Sequence, residues 1–498
     1  MKKKHNLMEI RIDIINCNQC VLDGPLVVLN KLYKEFEFKH PNAWHIQLSG
    51  RTSWDGLVHY INERGKFKIG FLPLIYNRLK ELGHNVTITD YRPEIGIKPV
   101  IPQFIGQLEI RERQKAVLEA ILNNKVGKLP FYIGVQDLSV NFGKSLVMAA
   151  LHLAFKGKLK TLLLTNDKDW LEQSKDEFPK LLPSTPISFI QGAKVTEWSD
   201  FNIGMVQSIS RNIAVYQREL SKIDIVLVDE CDLSDNKTYK TVIEHLWNTR
   251  VRIGLSGTVY LSKLKKDLLH NMNIMQFLGP RVTEVRLSET IESGDSTKVV
   301  VKIIPSGYNE EKKKLGYYPD EYDAIITNNK SSYRLSYNRA MYNFNKGRKP
   351  MIIVTKYIKH CELLYKFYKR RLDPSISIAY VHSSVPDKIR NKTIKDFREG
   401  KIDILISNSF ISRGKNFPLL RYLQNTASMD SNEKTLQILG RLVRTHSSKD
   451  IAYLDDIAYN GKYLTRHANH RKNYYIREKL KVVKLRVREY PIKNKRTN

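Results

Sequence analysis

Cysteine is scarce: four residues (Cys17, Cys20, Cys231, Cys361) in a chain of 498. So few thiols exclude a disulfide framework at this size, so the fold must rest on buried apolar cores, and a reducing compartment suits it. The "CNQC" of Cys17 to Cys20 has zinc-like spacing, but no second CxxC or close histidine pair completes a tetrahedral set; it reads as a turn between two strands. No apolar run approaches the ~18 residues of a spanning helix. The opening "MKKKHNLMEIRIDII" lacks the long apolar stretch of a secretion signal. The expectation is therefore a cytoplasmic protein, in the host cytoplasm if viral, with no membrane partner. Repeats at solenoid periods and Pro-rich or Ser-rich linkers are also missing, so domain boundaries must be read from the order of elements. Acidic residues are in deficit as well, 51 against 83 lysines and arginines for a formal charge of +32. That imbalance points to a polyanion such as DNA or RNA.

With 42% hydrophobic and 27% charged residues, the composition is globular, and the length fits about three domains. From about residue 130, short apolar runs alternate with amphipathic stretches, the pattern of parallel sheets covered by helices, hence an α/β fold. One block holds strand candidates at 131–136, 161–166, 203–207, 223–230 and 252–258; a second holds 351–355, 377–383, 403–408 and 451–456. Their near-continuous apolar character suits strands buried on both faces. The resulting division is a small α+β domain over 1–100, a first lobe over 105–285, a second over 286–460 and a basic tail over 461–498. Residues 286–335 show no clear period, and the tail reads as a solvated helix with a frayed end.

"LSVNFGKSLVMAALHLAF" follows a strand candidate and opens into a helical pattern, the context of a phosphate-binding loop. Asn141, Phe142, Gly143, Lys144 and Ser145 would form the loop. Its backbone N–H groups would face phosphate, Lys144 would charge-pair with the outer phosphates, and the Ser145 hydroxyl would hold magnesium. The full pattern wants a glycine where Leu138 stands. "IVLVDECD" delivers carboxylates at the end of an apolar strand, where open parallel sheets place ligands. Asp229 is then a magnesium ligand and Glu230 the group that orients or deprotonates water. In "QILGRLVR", helical spacing puts Gln437, Gly440, Arg441 and Arg444 on one face, suited to guanidiniums reaching a developing phosphate charge.

Over roughly residues 105–460 these segments, in this order, resemble the superfamily 2 helicases. The resemblance implies two RecA-like lobes, ATP and Mg2+, and 3′ to 5′ travel. It makes Gln114 of "RERQKAVLEAI" an adenine reader and places Asn141 where the family usually has glycine. It implies nucleic-acid contacts at Thr165 and Asn166 ("LLLTNDKDWLEQ") and at Gln207 and Ser208 ("MVQSIS"). It also implies coupling of hydrolysis to lobe movement through Ser256 and Thr258 ("SGT"). In the second block, "IIVTKYIKHCELL", "YVHSSV" and "SNSFISRGKNF" resemble later motifs, implying contacts at Thr355 and Asn408 and a nucleotide contact at Gly414; Asn416 replaces a commonly acidic residue. Near the start, "SWDGLVHYI" and "GFLPLIYNRLKELGHNVTITDYRP" are similar to the leading domain of UvsW-like phage helicases, which implies a viral source and branched or single-stranded DNA as substrate.

Three readings follow: a DNA helicase or branch-migrating translocase, a nucleic-acid-binding scaffold that no longer hydrolyses ATP, and an RNA helicase or the motor of a restriction or packaging machine. The altered Leu138, Asn141 and Asn416 favour the second; the intact Lys144, Glu230, Arg441 and Arg444 favour the first. Superfamily kinship implies a monomer. The 1–100 segment interleaves Trp54, Tyr60, Phe67, Phe71 and Tyr76 with cations, so its rings are either stacking platforms for bases or the core of a small domain. His467 and His470 of "RHANH" read as phosphate contacts or plain surface.

Overall fold

Runs rich in β-branched and leucine side chains form most of the central strands, because only a strand covered on both faces can bury every position. The computed structural model describes residues 8–44, 54–192, 197–260, 265–307, 316–408 and 417–485. These divide into two compact units. One runs to Leu138 and then over Gly143–Glu284; the other comprises Ser139–Phe142 and the chain from Val285 onward.

In the first unit a seven-stranded sheet has the order Ile187–Ile190, Phe201–Met205, Thr161–Thr165, Ile225–Asp229, Val251–Ser256, Ile133–Leu138, Arg281–Val285. Its pairs from Ile187–Ile190 through Ile133–Leu138 run parallel. Thr161–Thr165, Ile225–Asp229 and Val251–Ser256 are buried along their whole length. Parallel order brings every strand's carboxyl end to one edge, where Thr165, Met205 and Asp229 sit.

The N-terminal part of this unit is a four-stranded sheet ordered Lys66–Lys68, Gln19–Asp23, Glu9–Ile14, Asn85–Asp90, with helices Leu26–Glu35 and Leu72–Glu81. The Cys17–Cys20 segment makes the turn between the strands Glu9–Ile14 and Gln19–Asp23, where Ile15 N–H donates to Gln19 O at 3.0 Å. Both thiols are buried and free. Tyr60, Phe67 and Phe71 lie inside the domain, not on its surface; they share one core with Val126, Phe131, Ile133 and Met272. The choice between stacking platform and core is thereby decided for those three rings. That core, drawn mostly from residues 1–100, continues into the sheet that follows, and both lie in one compact unit.

The second unit carries a seven-stranded, all-parallel sheet ordered Ile378–Val381, Ile404–Asn408, Met351–Thr355, Tyr422–Asn425, Ile451–Ala458, Lys298–Pro305, Lys481–Lys484. Two of these strands correct the sequence reading. Lys298–Pro305 lies in the stretch without a visible period, although its odd–even burial is that of a strand. The supposed tail is part of the lobe: helix Lys462–Arg477 buries Leu464, His467, Arg471, Tyr474 and Tyr475, and Lys481–Lys484 pairs with Lys298–Pro305. Charge density misled here because the basic residues alternate with tyrosines that reach the core. Residues 486–498 lie outside the described residues.

Candidate nucleotide site

Strand Ile133–Leu138 ends in the loop that opens helix Lys144–Ala154. Gly143 has φ 91°, and a Cβ there would come within 2.6 Å of Gln114 Nε2 and 3.0 Å of the Arg111 guanidinium. Glycine is thus required for both backbone and space. Gln114 is buried and its Oε1 accepts from Arg111 N–H at 3.1 Å, so the side chain expected to read adenine lies against the loop. Asn141 has φ 65°. Asparagine is among the few residues that enter the left-handed region readily, so it satisfies the backbone that glycine serves elsewhere in the resemblance. In addition, within the second unit its Nδ2 donates to Asp295 O at 2.7 Å and Ser296 Oγ at 3.2 Å, and its Oδ1 accepts from Arg444 at 3.2 Å. Phe142 is buried, and Ser145 is partly exposed on the helix's first turn.

Lys144 Nζ stands 3.6 Å from Glu230 Oε1, with the lysine side chain 17% exposed. Burial pulls the Lys144 pKa down, but the Glu230, Asp229 and Asp232 charges outweigh it, and the net shift is upward. Asp229 closes the strand Ile225–Asp229; burial raises its pKa despite the opposing charge of Lys144. Glu230 has φ 47°, a left-handed conformation costing a non-glycine residue about 1–3 kcal/mol. Such outliers persist where the surroundings hold them, and here the turn keeps the carboxylate beside Lys144.

A third carboxylate belongs to the group. Asp232 accepts from Ser256 Oγ at 2.7 Å and from Thr258 Oγ1 at 2.9 Å, and Ser256 Oγ also lies 3.4 Å from Glu230 Oε2. The two segments "DECD" and "SGT", expected to act in sequence, are therefore joined by direct hydrogen bonds. Sequence reasoning gave Asp232 no role; the signal available was a third acid three positions after the strand end.

Three carboxylates around one lysine leave an excess of negative charge that a divalent cation would offset. Among the described residues no three His, Cys, Asp or Glu side chains converge as a metal cage. Magnesium at a nucleotide needs only one or two protein ligands besides phosphate and water, so Ser145 and Asp229 suffice.

In the second unit Ser431 caps helix Asn432–Leu442, accepting from Lys434 N–H at 3.2 Å. Gln437, Gly440 and Arg441 lie on this helix; a Cβ on Gly440 would meet Val140 at 2.8 Å. Arg444 does not share the helical face that the spacing predicts, because the helix stops at Leu442, whose carbonyl accepts from Lys449 Nζ at 3.1 Å.

The expected nucleic-acid contacts sit at or just beyond strand ends. Thr165 is buried, its Oγ1 accepting from Asp167 N–H at 3.1 Å, and Asn166 follows it. Ser208 Oγ accepts from Gly192 N–H at 2.8 Å, while Gln207 Oε1 is buried with no hydrogen-bond partner among the described residues. Thr355 and Asn408 are register partners on adjacent strands, and Thr355 Oγ1 donates to Ser407 O at 3.3 Å. Both threonine hydroxyls therefore already serve backbone groups. Gly414 and Asn416 lie outside the described residues.

Two family models match: "Type III restriction enzyme, res subunit" over residues 107–261 and "Helicase conserved C-terminal domain" over 335–446. The chain is 24% identical over 459 residues to the ATP-dependent DNA helicase uvsW of Enterobacteria phage T4, covering 85% of each chain. It is 22% identical over 271 residues to the ATP-dependent RNA helicase rok1 of Aspergillus niger, covering 51% of this chain and 36% of that one. Among solved structures, the ATP-dependent type ISP restriction-modification enzyme LlaBIII bound to DNA aligns with TM-score 0.53 at 12% identity, over 80% of this chain and 33% of that one. The first model falls on the sheet that carries Lys144, Asp229 and Glu230, and the second on the sheet that carries Arg441 and Arg444. The chain therefore belongs to the superfamily 2 helicases, ATP-hydrolysing enzymes built on two RecA-like lobes, and is similar to the phage helicase UvsW.

Proposed function

We propose that the protein uses ATP hydrolysis to move along DNA, separating strands or migrating branches. The observation that carries this reading is the convergence of Lys144, Asp229, Glu230 and Asp232 at the carboxyl edge of one parallel sheet, with Ser256 and Thr258 bonded into the same group. Lys144 would hold the outer phosphates of ATP, Ser145 and Asp229 would ligate magnesium, and Gln114 would select adenine. Glu230, held 3.6 Å from Lys144, would take the proton of the attacking water. Gln437, Arg441 and Arg444 would serve the nucleotide from the second lobe, the arginines acting on charge that develops as the phosphoryl group leaves. When bound, Mg2+ supplies charge neutralisation for the phosphates.

DNA as the substrate is favoured by the name of the phage relative, which aligns with 85% of this chain. The matching RNA helicase covers only about half of this chain, at 51%. Thr165, Asn166, Gln207, Ser208, Thr355 and Asn408 would contact the nucleic-acid strand, and Gly414 the nucleotide. The N-terminal domain would select the substrate through its basic surface, because Tyr60, Phe67 and Phe71 are internal. ATPase activity measured in parallel with single-stranded, duplex and forked DNA and with RNA tests the reading. Strongest stimulation by single-stranded or forked DNA is expected; stimulation by RNA alone would replace DNA with RNA, and no stimulation would remove the motor.

A further inference from the structure

Ser428, Met429 and Asp430 lead directly into the arginine-bearing helix Asn432–Leu442. Ser428 has φ 46°, a left-handed conformation that costs a residue with a Cβ roughly 1–2 kcal/mol, so its neighbours must hold it. The holders come from elsewhere in the lobe. Tyr318 hydroxyl donates to Ser428 O at 3.2 Å, and His467 Nδ1 reaches the same oxygen at 3.1 Å. Arg471 donates to Met429 O at 2.8 Å. His470 Nδ1 lies 2.6 Å from Asp430 Oδ1, and His467 Nε2 lies 3.5 Å from Asp430 Oδ2.

Arg471 is itself fixed. It is 1% exposed and holds Asp456, also 1% exposed, through contacts of 2.7–3.2 Å, while Tyr475 hydroxyl donates to the same carboxylate at 2.6 Å and Asn425 Nδ2 at 3.3 Å. A buried ion pair is a poor source of stability compared with apolar packing of similar volume. What this one supplies is direction: one guanidinium edge is locked to the sheet through Asp456 and the other holds the loop that starts the helix.

We propose that Tyr318, His467 and Arg471 are positioning residues that orient helix Asn432–Leu442, and with it Arg441 and Arg444, for ATP hydrolysis; the inference rests on the role given above to those two arginines. The C-terminal helix is then part of the hydrolytic machinery without touching nucleotide. Misplacement by about 1 Å of a group that acts in the transition state costs on the order of 10²-fold in rate. A contact made chiefly in the transition state loses kcat and leaves KM.

The test is steady-state ATP hydrolysis by the full chain at saturating single-stranded DNA, with turnover normalised to protein competent to bind nucleotide. Tyr318→Phe/His467→Phe keeps the ring volumes and removes both contacts to Ser428 O. The expected result is a kcat lower by about 10-fold or more with the KM for ATP within about twofold. Arg471→Lys, which keeps a cation on Asp456 but not the planar fork, should move kcat in the same direction. A purely structural role would lower the competent fraction and leave the normalised kcat alone, overturning the proposal. Should the double variant fail to fold, Tyr318→Phe alone decides: a normalised kcat equal to wild type overturns it. Arg441→Ala and Arg444→Ala, measured alongside, separate the two claims. Full turnover in both would sink the arginines' role, whereas loss there with an unaffected Tyr318→Phe/His467→Phe would sink only the positioning.

Discussion

The Asp232, Ser256 and Thr258 cluster links an acidic strand end to the next strand through two short hydrogen bonds, and their strength can be measured. Asp232 is 8% exposed and accepts at 2.7 Å and 2.9 Å from two hydroxyls that are themselves buried. A hydrogen bond to a charged group contributes about 1.5–3 kcal/mol. Thr258→Val keeps the shape and removes one such donor, so a loss of about that size is expected. Asp232→Ala removes both acceptors, leaving Thr258 Oγ1 and Ser256 Oγ with only their longer mutual contact of 3.3 Å and that of Ser256 with Glu230 at 3.4 Å, so a larger loss than for Thr258→Val is expected. If the contact is direct, the double variant must lose less than the sum of the two singles, because the Thr258 hydroxyl cannot be lost twice. Urea unfolding of the four proteins in the cycle should give a coupling of at least about 1 kcal/mol, and the cycle with Ser256→Ala should give more. Ser256 Oγ also reaches Glu230 and accepts from Thr258 N–H at 3.1 Å. Additivity within about 0.5 kcal/mol in both cycles would refute the direct link.

Lys144→Ala should abolish ATP hydrolysis and leave DNA binding within a few-fold, and Glu230→Gln should bind ATP yet not turn it over; hydrolysis near the native rate in either, read by phosphate release, contradicts the assigned roles. Arg441→Ala and Arg444→Ala should each slow hydrolysis, at least one with little change in nucleotide affinity measured by a fluorescent analogue, and a neutral double variant would remove the second lobe from the reaction. His360 is buried against the Tyr322 hydroxyl at 2.8 Å, and burial pushes its pKa down to about 3. The folded chain keeps this imidazole neutral while the unfolded chain protonates near 6.5, so its share of stability is present above about pH 6.5 and is lost as pH falls toward 3. His360→Gln should flatten the acid limb of unfolding free energy by up to about 1.4 kcal/mol per pH unit near pH 5, and an unchanged slope excludes the histidine. Glutamine at Lys31, Lys34 and Lys39, exposed on the N-terminal domain, should weaken forked-DNA binding and reduce its salt dependence while single-stranded-DNA-stimulated ATPase stays near native; equal forked and single-strand affinities relative to wild type would assign selection elsewhere.

What could be read from the sequence is what local chemistry determines. The strands Thr161–Thr165, Ile225–Asp229 and Met351–Thr355 are buried throughout, and their apolar runs announce them. The grouping of Lys144, Asp229 and Glu230 was legible because each follows the end of an apolar strand, and parallel order brings those ends to one edge. Tyr422–Asn425 was not, since "YLQN" is half polar. Its Gln424 is buried by hydrogen bonds to the Tyr422 hydroxyl and to Ser336 O, both at 3.1 Å, the latter 88 residues away and outside any sequence window. Asp456 and Arg471 were missed for the same reason. Their pairing spans 15 residues and two elements, and in the sequence Arg471 is one more cation in a basic run. The helical register of Arg444 failed because the helix ends at Leu442, two residues before it, and the Leu442 carbonyl is taken by Lys449 Nζ.

The small N-terminal domain shows how far tertiary packing overrides a sequence boundary. A detachable selector would have a thin, hydrated junction. Here Gly70 lies so close to the helix Lys265–Leu278 that a Cβ on it would stand 1.9 Å from Met275 O, which only glycine permits. Arg252, fully buried on strand Val251–Ser256, donates to Asn18 Oδ1 at 2.7 Å, and Asn18 Nδ2 donates to Glu244 O at 3.0 Å. Arg250 reaches Asp90 at 2.9 Å, and Arg92 pairs with the same carboxylate at 2.8 Å. Removing residues 1–100 would leave Arg252 without one of its acceptors and bare the faces of Phe131, Ile133 and Met272. A truncation that lost junction preference would therefore report damage to the first sheet as readily as loss of a selector. Surface charge substitutions at Lys31, Lys34 and Lys39 leave that junction intact, and so they are the perturbation that separates recognition by this domain from its structural support of the ATP-binding sheet.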